Sequence, residues 1–175
     1  LILEPRRLAA KAVAGRLAEQ LNEKPGETVG YRVRFETKVG RETRIEIVTE
    51  GILTRMLQHD NSLESVGMVI FDEFHERSLN ADLGLALALE IRAALRPDLM
   101  ILVMSATLDA APVAALMDAA PLITSQGRAF PVDILHLDAP LPRDKRLEEA
   151  TTDLVLRALG ETAGGVLVFL PGEGE

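Results

Sequence analysis

Short, uninterrupted apolar runs separated by helical stretches constrain this chain more than any other feature. Met68-Val69-Ile70-Phe71 and Met100-Ile101-Leu102-Val103-Met104 contain no polar residue. Runs of this kind lack the in-out alternation of a half-exposed strand and suit strands buried on both faces, as in parallel sheets. Runs at residues 1–3, 45–48 and 122–124 read as further strands. Helical spacing fills the gaps between them. Pro5 stands where a helix would start, followed by Leu8, Ala12, Leu17 and Leu21. Ile52, Leu53, Met56 and Leu57 mark a short helix. Asn80 is placed to cap a longer one, with Leu83, Leu87 and Ile91 on one face and Pro97 beyond its end. Pro112 suits the first turn of a helix reaching Met117. Alternating strands and helices predict an α/β fold, a mainly parallel sheet with helices on both faces.

The pattern changes near Ser125-Gln126-Gly127. Residues 131–137 read as a strand, 138–144 as a polar connection containing proline, 147–159 as a helix and 166–170 as a buried strand. This tail is expected to begin a second domain. The chain opens on Leu1-Ile2-Leu3 without an initiator methionine and closes on Pro171-Gly172-Glu173-Gly174-Glu175, so it reads as a piece of something longer. Cysteine is absent, which excludes disulfides and thiolate metal sites. No apolar run approaches the roughly 18 residues of a membrane span, so no membrane is expected and the cytoplasm is the expected location. Net charge is −8, but residues 1–55 hold 11 Lys/Arg against 8 Asp/Glu while the remainder is strongly acidic. The basic first third suits phosphate contacts, and it equally suits solvated helix and strand faces.

Functional groups of an open parallel sheet gather at the carboxyl ends of its strands. Two clusters fall there: Asp72-Glu73-Phe74-His75 after the run at Met68, and Ser105-Ala106-Thr107 after the run at Met100. An Asp leaving a buried strand is placed to hold a hydrated Mg²⁺, and a neighbouring Glu to polarise a water in phosphoanhydride hydrolysis. Taken separately, Asp-Glu also suits a favourable charge at a helix N-terminus, and Ser105 and Thr107 suit helix caps. His75-Glu76 lacks the second histidine four residues on that a helical zinc site requires, and His59 and His136 have no sequence-near partner ligands.

The combination and its order resemble the DEAH-box helicases of superfamily 2. Asp72-Glu73-Phe74-His75-Glu76-Arg77-Ser78-Leu79-Asn80-Ala81-Asp82 looks like that family's motif II, with Phe at the variable third position. Leu3-Glu4-Pro5-Arg6-Arg7-Leu8-Ala9-Ala10 resembles motif Ia, Thr49-Glu50-Gly51-Ile52-Leu53-Thr54-Arg55 motif Ib, and Ser105-Ala106-Thr107-Leu108 motif III. Val29-Gly30-Tyr31-Arg32-Val33-Arg34-Phe35-Glu36 matches another stretch characteristic of the group. Gly127-Arg128-Ala129-Phe130-Pro131-Val132 and Val166-Leu167-Val168-Phe169-Leu170-Pro171-Gly172 resemble the opening of the second motor domain. The resemblance covers nearly the whole chain, and its wording is nearest the bacterial HrpB branch.

What the resemblance implies is an ATP-dependent RNA helicase with a RecA-like fold. Residues 1–126 would form a first motor domain that is incomplete, and 127–175 the start of a second. Asp72 and Glu73 would hold Mg²⁺ through water, Glu73 would orient the hydrolytic water, and His75 would contact the second motor domain. Ser105 and Thr107 would link the ATP site to domain movement. Arg6, Arg7, Thr49, Glu50, Gly51 and Arg55 would hold the backbone of RNA, or of DNA. Arg34 would either help position nucleic acid or pack the domain. One departure matters: the family's Gly-Lys-Ser/Thr phosphate-binding loop is missing, since Gly-Lys occurs nowhere in the chain. The arginine-containing motif of the second domain is missing too. The chain alone is therefore expected to be inactive. Two other readings stay open here: an RNA-binding module that uses no nucleotide, and a degenerate motor domain serving as an interaction scaffold.

Overall fold

The computed structural model describes residues 1–60, 62–106, 110–125, 127–128, 130–137, 139–141 and 145–172. Contacts divide the chain into two units, Leu1–Thr124 and Ser125–Glu175. The first unit is built on a six-stranded sheet: β1 Ile2–Glu4, β2 Val29–Val33, β3 Glu36–Lys38, β4 Ile45–Thr49, β5 Met68–Phe71 and β6 Met100–Val103. The strand order is β3-β2-β4-β1-β5-β6, parallel throughout except for the antiparallel β2–β3 hairpin.

The two faces of this sheet carry different helices because successive side chains along a strand point opposite ways. Ile2 stands beside Ile47, and both face α1 (Arg7–Gln20) with Val29, Tyr31 and Val33. Leu3 stands beside Val48 and Phe71, facing the opposite layer of α2 (Glu50–His59) and α3 (Leu79–Ala94). Burying a side chain such as Phe71, Leu53 or Leu85, all almost fully enclosed, contributes roughly 1.5–3 kcal/mol each. Parallel strands covered on both faces are thus what the runs at β1, β4 and β5 produce, while edge strand β6 leaves Met100 and Leu102 exposed on one face.

Helix α1 does not bury the face its leucines predict. Leu8 is 80% exposed, and Ala12 and Leu21 also face outward, while Ala10, Ala14 and Ala18 are fully buried and Leu17 only partly. Spacing of four residues with only a methyl on each lets the helix backbone lie close over β2 and β4, which leucines would prevent. Helix α3 is capped by Ser78 rather than by Asn80: the Ser78 hydroxyl accepts the Ala81 N–H at 3.0 Å. Its buried stripe is Ala81, Gly84, Leu85, Ala88 and Ile91, with Leu83 turned outward. Gly84 is there for closeness, because a Cβ on it would sit 3.2 Å from Leu53 Cδ2 and 3.4 Å from Phe71 Cε1.

Helix α4, Ala111–Leu116, has proline in its first turn as expected. In the second unit, α5 spans Leu147–Glu161. The strands expected at 122–124, 131–137 and 166–170 are not formed. An apolar run becomes a strand only when a neighbouring strand takes up its N–H and C=O groups, and every strand pairing among the described residues is within the set β1 to β6 of the first unit, none of them involving 122–124. Ile123, Leu135, Leu167 and Phe169 accordingly stand exposed.

Candidate nucleotide-hydrolysis and nucleic-acid site

The carboxyl ends of β4, β1, β5 and β6 lie side by side, so four sequence segments separated by up to a hundred residues converge on one edge. The β1 end brings Glu4, Arg6 and Arg7, and the β4 end brings Thr49, Glu50 and Gly51. From β5 come Asp72 through Arg77, and from β6 Ser105 and Ala106. Glu4 and Thr49 are paired in register, which sets the N-termini of α1 and α2 close together.

Asp72 continues the ladder of β5, donating its N–H to the Leu3 carbonyl at 3.0 Å. Its Oδ1 accepts the Glu73 N–H at 2.8 Å, which leaves Oδ2 pointing elsewhere. Glu73 then takes a left-handed conformation, φ 50 and ψ 34, and breaks the strand into a 3-10 turn over Phe74–Glu76. A bulky residue in that region is uncommon and is held only where its surroundings impose it. Two contacts impose it here. Phe74, buried, packs edge-on to Phe71 with ring centroids 6.2 Å apart, and its N–H reaches the Met104 carbonyl at 3.0 Å. The turn is thereby pinned to the β6 end while the Glu73 side chain stays nearly half exposed.

His75 connects the two strand ends. Its Nδ1 accepts the Ala106 N–H at 3.2 Å and lies 3.4 Å from Glu73 Oε2. A backbone N–H only donates, so Nδ1 carries a lone pair in this arrangement and the approach to Glu73 is proximity without a hydrogen bond. Ser105 is exposed just beyond β6. Thr107 lies outside the described residues.

Two carboxylates that sequence reasoning passed over complete the edge. Glu4 is the one buried charged residue of the described core, 4% exposed. Burial first, and then the charge of Asp72, pushes its carboxyl above the ordinary range, while the Arg6 N–H acts in the other direction. Glu76 meets the Arg6 guanidinium through both its oxygens. The signal for Glu4 was present in the sequence, a carboxylate at the end of an apolar strand just like Asp72. Nothing in the sequence announces the Glu76 contact, because it spans 70 residues. Among the candidate backbone contacts, Arg6, Arg7, Gly51 and Arg55 are exposed, and Thr49 and Glu50 are partly covered at the start of α2.

The oxygen donors fit a hard divalent cation of the Mg²⁺ kind, which keeps most of its water and asks for one or two carboxylates. Asp72, partly buried with one oxygen uncommitted, and Glu73 beside it are such a set. Among the described residues, no group of three or more His, Cys, Asp or Glu side chains is placed to enclose a metal ion.

A six-stranded, mainly parallel sheet with an Asp-Glu pair and a Ser-Ala segment at adjacent strand ends is the arrangement of a RecA-like helicase domain. The chain belongs to the DEAD/DEAH box helicase family, whose family model matches residues 1–116. It is 54% identical over all 175 residues to the ATP-dependent RNA helicase HrpB of Escherichia coli, of which it spans 21%. It is 38% identical to the ATP-dependent RNA helicase HrpA of the same organism, over 98% of this chain and 13% of that protein. The crystal structure of the Escherichia coli DEAH/RHA helicase HrpB superposes with a TM-score of 0.90 over 99% of this chain and 22% of that one, at 54% identity. The chain thus spans about a fifth of the length of the HrpB proteins it matches.

Proposed function

We propose that this chain is the part of an ATP-dependent RNA helicase that carries the hydrolytic carboxylates and one nucleic-acid face. The observation supporting this most strongly is the placement of Asp72 and Glu73. They leave β5, an interior strand one in from edge strand β6, with Glu73 rotated out of the ladder and a partly solvent-facing carboxylate. A binding module that uses no nucleotide has no need of an acid pair there, and a scaffold has no need to hold Glu73 in a costly backbone conformation. Names of the relatives, both ATP-dependent RNA helicases, favour the same reading.

In this reading Asp72 and Glu73 hold Mg²⁺ through its waters, and the ion when bound supplies charge neutralisation for the triphosphate. Glu73 orients the attacking water and accepts its proton, which suits a carboxylate with solvent access. His75, through the Ala106 N–H, ties motif II to the segment that begins at Ser105. Arg6, Arg7 and Arg55, with the backbone N–H groups where α2 begins after Thr49, grip the phosphates of RNA. Glu50 contributes its N–H there rather than its carboxylate. Contacts of this kind position a strand without reading its sequence. In the same reading residues 1–126 belong to an incomplete first motor domain and 127–175 to the opening of the second.

No Gly-Lys phosphate cradle exists in these residues, so the chain by itself is expected to turn over no ATP. The function is tested on the full-length polypeptide that contains it. Steady-state ATP hydrolysis is measured with and without single-stranded RNA; RNA-stimulated turnover is expected. RNA binding without any hydrolysis would replace the motor by the binding-module reading.

A further inference from the structure

Arg6 and Glu76 come from different strand ends and different motifs, yet they form a two-point ion pair. Nη2 of Arg6 meets Oε1 of Glu76, and Nε lies 3.4 Å from Oε2. The Arg6 side chain is 70% exposed and that of Glu76 30%. The first belongs to the segment assigned above to the RNA backbone. The second closes the turn that begins at Glu73 and carries His75. We propose that this pair is a competitive latch between the two sites: a backbone phosphate and Glu76 contend for the same guanidinium, and a phosphate that wins it releases the motif II turn. The proposal rests on the motor reading and adds to it a route by which nucleic acid is felt at the hydrolytic carboxylates.

Three features of the structure support the latch. The Nε–Nη2 edge of a guanidinium is one of the faces that receives a carboxylate or a phosphate in two-point fashion, and Glu76 already occupies it. An ion pair this exposed is weak, so an arriving phosphate can displace the carboxylate. The turn that Glu76 closes is also bounded by two left-handed residues, Glu73 at φ 50 and Arg77 at φ 48, so its conformation depends on tethers. Phe74 and His75 tether it to the core and to β6, and Glu76 tethers it to β1 through Arg6. Removing the last leaves the turn held on one side only. Glu76 is thus a positioning residue, acting through Arg6 and through the turn without touching substrate.

The test is a double-mutant cycle in the full-length protein, reading fluorescence anisotropy of a labelled oligouridylate alongside ATP turnover. Glu76→Gln frees Arg6 and is expected to tighten RNA binding about two- to fivefold, the range for an exposed ion pair. It should also raise RNA-free turnover, so that the ratio of stimulated to basal rate falls. Arg6→Ala weakens binding, and adding Glu76→Gln to it should change binding no further. Glu76→Ala is a second variant with the same expectation, and a melting curve of each variant confirms folding. Binding that is unchanged or weaker in both Glu76 variants, or two substitutions that act additively, overturns the latch. A wild-type protein with no RNA-stimulated turnover removes the motor reading instead, and the binding cycle still decides whether the pair competes with phosphate.

Discussion

Phe35 shows how much a single residue in this domain is asked to tolerate. It occupies the turn between β2 and β3 with φ 68 and 88% exposure, and the Arg34 guanidinium lies 4.7 Å over its ring. Glycine is the residue that adopts this conformation without steric cost. Phe35→Gly is therefore expected to raise unfolding stability by about 0.5–1 kcal/mol, measured as a denaturant midpoint, even though the stacked arginine is lost. A second residue-level expectation concerns pH. Tyr31 donates to Glu36, which Lys11 also approaches at 2.9 Å. The bond to Glu36 pushes the phenol up to about 12, and the bonds from Tyr31 and Lys11 hold the Glu36 carboxyl below its ordinary range. A raised folded-state value means stability complete below pH 10 and lost as pH climbs from there through about 12. A lowered carboxylate value means stability present above its unfolded range and lost as pH falls through the folded value. Tyr31→Phe should flatten the alkaline limb of a stability-versus-pH curve; an unchanged limb would mean that the phenol is not raised in the folded state.

At the scale of elements, Arg96 adds polar joins to the apolar packing of Leu63 and Val66. It sits between α3 and β6 and donates to the carbonyls of Ser62, Leu63 and Val66 in the segment between α2 and β5, at 3.1, 2.7 and 3.0 Å. Asp98 holds the guanidinium from the other side at 2.7 Å. Arg96→Ala leaves three carbonyls to find other partners, and should lower the melting temperature well beyond Arg16→Ala on the open face of α1. Arg96→Lys should rescue little, since a point charge cannot span three acceptors. Equal melting of the Arg16 and Arg96 variants would remove this role.

The same scale shows what was legible in the sequence. Strands β1, β4 and β5 announced themselves because side chains on both of their faces are covered, and β6 by its unbroken apolar run, although Met100 and Leu102 stand exposed on one face. The motif residues could be placed because function in such a sheet sits at strand ends. The β2–β3 hairpin did not announce itself as strands: Glu36-Thr37-Lys38 is a polar edge, and Arg34-Phe35 is not the Asn-Gly or Asp-Gly expected of a two-residue turn. Apolar runs at 131–137 and 166–170 looked like strands but have no paired neighbour among the described residues. The alanine face of α1 was hidden by its more conspicuous leucines. At the site, Asp72, Glu73, His75 and Ser105 were readable from order along the chain. The Arg6–Glu76 pair was not, because it depends on β1 and β5 being neighbours in space.

At the scale of the whole molecule, a fold shared with HrpB carries Asp72 and Glu73 at the carboxyl end of interior strand β5. The role proposed for Glu73 is to orient the water that cleaves ATP. The most direct test is RNA-stimulated ATP hydrolysis by the full-length protein beside a Glu73→Gln variant, with nucleotide binding followed separately by a fluorescent ATP analogue. The account predicts that turnover falls by about a hundredfold or more, the scale of a lost general base, while the variant still binds nucleotide. Turnover that persists in Glu73→Gln would contradict it, leaving an ATPase whose water is activated by some other group.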